Sequence, residues 1–152
     1  MLKINKTTIH DLESDANFQN LLEEYSCELE IEGLPHPSAK IDMYKQLESI
    51  GSLYPIAAYF NNVLIGLINV LMVMNPHYGV SIAVSESFFV MKEYRKTGAG
   101  MKLRSFAERV AQEMNSPGFF MSSPSWGPLV DVLPRVGYEE TGRTFFKRFE
   151  NA

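Results

Sequence analysis

Three apolar, strand-forming runs follow one another between Pro55 and Met91 with only short polar breaks, and this succession constrains the chain more than any other feature. Pro55 to Phe60 and Val63 to Met74 are separated by Asn61-Asn62, a pair that tolerates the left-handed conformation required by a two-residue hairpin turn. Asn75-Pro76-His77-Tyr78-Gly79 makes the next turn, and Val80 to Met91 reads as a third long strand. The run therefore predicts an antiparallel meander. Strict alternation along its third strand places Glu86, Phe88 and Val90 on one face. The longest apolar stretch, Val63 to Met74, contains Gly66 and Asn69 and falls short of the roughly 20 residues that span a bilayer.

Helical periodicity flanks the meander. Phe18, Leu21, Leu22, Tyr25 and Leu29 share one face of an amphipathic helix expected to end near Gly33. Leu34-Pro35-His36-Pro37 is a rigid connection, after which Ser38 is expected to cap a second helix carrying Ile41, Tyr44, Leu47 and Ile50. The best helical stripe lies in Met101 to Met114, where Leu103, Phe106, Ala107, Val110 and Met114 oppose Lys102, Arg104, Glu108 and Arg109. Leu2-Lys3-Ile4 reads as a short opening strand and Phe119-Phe120-Met121 as a short parallel one. Trp126 to Val136 is a helix confined by Pro128 and Pro134, and Thr144 to Phe149 is expected to close the chain as a strand. The expected fold is α/β, a mixed and mostly antiparallel sheet with helices packed on it, and the 152 residues with 45% hydrophobic content make one domain over 1–152.

A net charge of −4 argues against broad attraction to nucleic acid or to an anionic membrane and suits a cationic or amine partner. The acidic residues Glu23, Glu24, Glu28, Glu30 and Glu32 make the first helix negative, a face for solvent or for a polyamine. Cys27 has no partner for a disulfide, and Lys3, Asn5, Lys6 and His10 interrupt any apolar export run, so the cytoplasm is the expected compartment. His10, His36 and His77 share no ligand-type spacing, and no metal is expected.

Chemistry is concentrated between Val90 and Met101, in Arg95-Lys96-Thr97-Gly98-Ala99-Gly100. A turn from strand into helix leaves backbone N–H groups without intrahelical partners and places the positive end of the helix dipole at the same spot. Glycines at 98 and 100 let an oxyanion approach closely, and Arg95, Lys96 and Lys102 add positive charge, so the segment is expected to bind phosphate. A dinucleotide fingerprint would need a third glycine where Leu103 stands, and no G-x-x-x-x-G-K-[ST] run is present.

Arg-x-x-Gly-x-Gly after a Phe-Phe-Val strand end resembles the acetyl-CoA signature of the GNAT family of N-acetyltransferases, usually [Gln/Arg]-x-x-Gly-x-[Gly/Ala]. The phrase Glu86-Ser-Phe-Phe-Val-Met-Lys-Glu-Tyr-Arg95 extends the likeness, and its wording, with Ser-Pro-Ser-Trp-Gly-Pro, is similar to acetyltransferases carried by bacteriophages. The resemblance implies a splay between the fourth and fifth strands, acetyl-CoA as cosubstrate, and cofactor contacts from Phe88, Phe89, Val90, Arg95, Lys96, Thr97, Gly98, Ala99, Gly100 and Met101.

It also implies direct attack of an amine on the thioester, without a covalent enzyme intermediate. A lysine-like ammonium is about 3.4 units from neutral at pH 7, roughly 4–5 kcal/mol, so a base matters, and the resemblance assigns that role to Glu86. Backbone N–H groups near Phe89 and Val90 are the expected oxyanion donors. Many relatives place a general-acid tyrosine four residues before the glycine matching Gly137, where this chain has Leu133, leaving Tyr138, Ser125 or water to substitute. The same departure supports the alternative of an interaction protein that keeps the fold, and CoA binding, without turnover. The acceptor cleft is implied at His36, His77 and Tyr78, for a small-molecule or peptide amine. An aminoalkyl group on a modified base is a further acceptor, and dimers are common among similar proteins.

Overall fold

The computed structural model describes residues 1–150. One sheet runs in the order β1 (Leu2–Lys6), β2 (Leu53–Phe60), β3 (Val63–Asn75), β4 (Val80–Val90) and β5 (Phe119–Phe120). The first three pairings are antiparallel, and β5 joins β4 in parallel only through Ala83 with Phe119 and Val84 with Phe120. The predicted meander forms, with Asn61 and Asn62 at φ 48° and 68° in the hairpin turn. Beyond Val84 the two strands part, and this splay leaves the C-terminal half of β4 with one unpaired edge.

Helices cover both faces because both faces of the central strands are apolar. On one side α1 (Ile9–Ser14), α2 (Phe18–Leu29) and α3 (Ile41–Ser49) bring Leu12, Phe18 and Leu21 against Leu53, Ala57, Leu64 and Leu67. On the other, α4 (Ala99–Glu113) sets Leu103, Ala107 and Val110 against Ile56, Ala58, Ile65 and Ile68. The stripe predicted for α4 is the buried one, rotated slightly: Ala99 and Ala111 join it and Met114 is exposed. Gly66 of β3 lies under this helix, where a Cβ would come within 2.9 Å of the Phe89 carbonyl oxygen and 3.3 Å of Leu103.

Five points of the sequence reading need correction. The α1 turn was not foreseen; it is short, and its start is fixed by Thr8, whose hydroxyl accepts the Asp11 N–H at 3.1 Å. Ser38 does not cap α3, which begins at Ile41 after Lys40 with no side-chain cap, and α2 stops at Leu29, before Gly33. The C-terminal helix is only α5 (Leu129–Arg135), and Trp126 lies outside it, 69% exposed. Thr144 to Phe149 forms no strand, and Phe145, Phe146 and Phe149 are exposed. A strand needs a neighbour's backbone to pair with, and two-residue β5 offers almost none; the segment is tied instead by Arg148 to Glu32.

Candidate active site

Across β3 and β4, Asn69 faces Ser87 and Val70 faces Ser85, so Glu86 is an extra residue without a partner: a β-bulge. The bulge resets the alternation. Phe88 and Val90 pack towards α4, whereas the Glu86 carboxylate turns to the opposite side and accepts a hydrogen bond from the Tyr44 hydroxyl of α3 at 2.8 Å. The expectation that Glu86, Phe88 and Val90 share one face is thereby corrected, because strict alternation assumes an unbroken ladder. Glu86 also accepts from Ser87 Oγ and from Asn69 Nδ2, the latter at 3.4 Å. Burial, and then the adjacent Glu86 charge, push the Tyr44 phenol well above the usual tyrosine range, so it stays protonated as a donor to the carboxylate.

The Phe88 N–H points away from β3 and donates to the Tyr25 hydroxyl of α2 at 3.2 Å. By the two-residue alternation of an antiparallel ladder, the Val90 amide faces the same splayed edge and the Phe89 amide faces β3. The Phe89 ring, buried on the α2 side, stacks on Tyr25 at 4.8 Å. Tyr25 therefore stands between the free edge of β4 and the space beneath α2. Burial raises its pKa, leaving its own proton available for donation across the neutral range.

The glycine segment follows as a 3-10 turn (Lys92–Thr97) leading into α4. Gly98 takes φ 86°, a conformation glycine adopts without the steric penalty of a Cβ, and a Cβ there would meet nothing within 4 Å. Thr97 Oγ1 donates to the Tyr94 carbonyl at 2.6 Å and accepts the Ala99 N–H at 3.3 Å. Arg95 is engaged otherwise than the sequence suggests: its guanidinium donates to the Val90 carbonyl at 2.9 Å and to Glu28 at 2.7 Å, and lies 5.2 Å from the centre of the Phe89 ring. Glu24 meanwhile accepts the Lys92 N–H at 2.9 Å. Part of the acidic face of α2 thus anchors the turn rather than facing an outside cation. Lys96, Met101 and Lys102 are exposed around the start of α4.

The residues expected at the acceptor side are not gathered around Glu86. His36 is exposed and paired with Glu30 at 3.0 Å. His77 and Tyr78 lie in the β3–β4 turn, separated from Glu86 by the strand from Val80, about 20 Å at 3.3 Å per residue. Tyr138, a candidate acid, donates to Glu108 Oε1 at 2.9 Å within an Arg104–Glu108 pair on α4. Leu133 is buried. The groups that do surround Glu86 are Tyr44, Asn69 and Ser87, with Tyr25 close by, and sequence reading took both tyrosines as members of apolar helix stripes. A signal existed in each: a buried tyrosine hydroxyl needs a partner, and Asn69 interrupts an otherwise apolar strand.

A cavity of about 280 Å³ opens between α1–α3 and the sheet. Leu12, Phe18, Leu22, Leu29, Ile41 and Leu67 form its walls, and Tyr25, Tyr44, Asn69 and Ser87 its polar floor. Three of those floor residues bind the Glu86 carboxylate, which therefore lies immediately behind the floor.

No match was found among curated proteins. Solved structures share the fold over nearly the whole chain. A ribosomal-protein-alanine N-acetyltransferase from Brucella melitensis biovar Abortus 2308 superposes with a TM-score of 0.74 at 15% identity, covering 98% of this chain and 99% of that one. A transcriptional regulator from Bacillus halodurans C-125 gives 0.77 at 18% identity, over 98% and 100%. The aminoglycoside acetyltransferase AAC(6')-Iy, in complex with the bisubstrate analog CoA-S-monomethyl-acetylneamine, gives 0.73 at 17% identity, over 99% of both chains. At such identities the likeness is one of fold. The acetyltransferase (GNAT) family model, however, matches the sequence itself over residues 18–122, from the start of α2 to just beyond β5, so that this chain belongs to the acetyltransferase (GNAT) family.

Proposed function

We propose that the chain transfers an acetyl group from acetyl-CoA directly to a primary amine, with Glu86 as general base. The observation that carries this reading is the bulge: it brings a carboxylate and the unpaired edge of β4 to one side of the sheet, beside a cavity large enough for a small acceptor. The chain's own groups fit the cosubstrate. Gly98 has open space where a side chain would stand, the first turn of α4 supplies helix-terminal amides, and Lys96 and Lys102 add charge for the diphosphate, alongside Thr97, Ala99, Gly100 and Met101. The pantetheine arm would lie along the edge of β4 from Phe88 to Val90. When bound, acetyl-CoA supplies the thioester carbon that the amine attacks.

Glu86 takes the proton from the acceptor ammonium, freeing the nitrogen lone pair, and Tyr44 and Ser87 hold the carboxylate in place by hydrogen bonds. The Val90 amide is the donor for the developing oxyanion. Arg95 acts by bracing the turn onto α2. The departing thiolate needs little help, since leaving unprotonated at pH 7 costs only about 2 kcal/mol for a thiol of pKa near 8.5.

A second reading, a GNAT-fold protein that binds CoA without turnover, is favoured by buried Leu133 and by the engagement of Tyr138 with Glu108. Thiol release from acetyl-CoA over a panel of alkylamines, polyamines, aminoglycosides and peptides separates the two. Acyl transfer predicts release above the hydrolysis background with at least one amine, and background rates throughout would overturn it. An aminoalkyl-modified base belongs in the panel because of the bacteriophage-like wording of the motif.

A further inference from the structure

We infer that the cavity between α1–α3 and the sheet takes a primary amine carried on a slim apolar stem, an alkylamine or arylalkylamine, in preference to a polyhydroxylated or multiply charged acceptor. This rests on the acyl-transfer reading and names the acceptor class. Asn69 carries the argument. It is only 4% exposed, lines the cavity, and its Oδ1 has no hydrogen-bond partner among the described residues. Its orientation is set by its neighbours: Glu86 can only accept, and the Ser87 proton goes to Glu86, so Nδ2 must face both and the carbonyl oxygen is left over.

A buried carbonyl without a partner calls for a donor, and one placed beside a carboxylate favours a donor that is positively charged. An ammonium satisfies both. Away from that floor the lining is mostly leucine, isoleucine and phenylalanine, with the hydroxyls of Ser26 and Ser38 beside Pro37 and Ala39, and no charged side chain lines the cavity among the described residues. A second ammonium or a ring of sugar hydroxyls would be stripped of water there with only the Ser38 hydroxyl and that of Ser26, which already donates to the Leu22 carbonyl, as replacement partners, whereas methylene or phenyl groups match the walls. The volume, about 280 Å³, falls just below the roughly 300–1,000 Å³ of small-molecule pockets, which also favours a small stem. Tyr25, bonded to the Phe88 amide and lining the cavity, places its floor next to the edge of β4.

Calorimetric titration with CoA present, using hexylamine, phenylethylamine, methylamine, hexanol, spermidine and sisomicin, tests this. Hexylamine and phenylethylamine should bind at least tenfold more tightly than methylamine, spermidine or sisomicin. Ala39→Phe, a change at a half-buried lining residue outside the helices, should weaken hexylamine at least tenfold. Asn69→Ala should weaken hexylamine by a larger factor than hexanol, whose hydroxyl is an uncharged donor; if that variant fails to fold, Ala39→Phe decides. Preference for spermidine or sisomicin, indifference to stem length, or no binding of any amine would overturn the inference. Acyl transfer fails separately: tight hexylamine binding with no thiol release removes the enzyme reading and keeps the pocket, while thiol release with sisomicin alone does the reverse.

Discussion

On the proposed mechanism Glu86 is the base, and its surroundings define what its loss should do. Glu86→Gln keeps the size of the side chain and one acceptor oxygen but removes the base, so kcat at pH 7 should fall by about 10²-fold or more with CoA affinity unchanged. The deficit should narrow as pH approaches the acceptor's own pKa, because solvent then removes the proton; a deficit independent of pH would assign Glu86 to positioning. Tyr138 allows a second test, of stability. Burial first and the Glu108 bond second push its hydroxyl up to about 12, above its unfolded value of 10.0. The folded state holds that proton more tightly, so the contribution is whole below about pH 10 and is lost as pH rises towards 12. Tyr138→Phe should therefore flatten the loss of stability seen by urea denaturation between about pH 10 and 12, and equal slopes would contradict the assignment.

Among the elements, β4 decides most. Its bulge could not be read from the alternation of Ser85-Glu86-Ser87-Phe88, because a bulge is a property of a pairing register and needs the partner strand to define it. The strands, the Asn-Asn turn and α4 were legible because their signals are local: apolar period, left-handed tolerance and a glycine before a helix. The closing strand was misread for the converse reason, since Thr144 to Phe149 has strand composition but no neighbour of adequate length. Gly66 joins two elements at van der Waals distance, and its Cβ would strike the Phe89 carbonyl, a backbone atom that cannot swing aside. Gly66→Ala should cost about 1–3 kcal/mol in chemical denaturation, and a neutral effect would mean that β3 and β4 separate easily under α4.

At the scale of the whole molecule, the sheet is a wall between two helix layers, opened along one edge where β4 and β5 part. Acetyl-CoA is expected at that opening and the acceptor in the cavity on the α2 side, so the bulge is where the two approaches meet. If the start of α4 and the edge of β4 recognise CoA as a unit, CoA at 100 times its Kd should stabilise the fold by about 2.7 kcal/mol, read as a rise in Tm. ATP should do much less; equal shifts with both would reduce the segment to a general phosphate site. What the sequence by itself determined was the meander and the short opening strand, the principal helices and the place of the glycine segment between β4 and α4, because propensity and periodicity act over a few neighbouring residues. The tertiary structure alone decided which way Glu86 points, that Arg95 braces the turn onto α2, and that Tyr25, Tyr44, Asn69 and Ser87 surround one cavity. Those follow from strand register and helix docking, which join residues as far apart in the chain as Tyr25 and Phe88 and are set by how the apolar faces pack together.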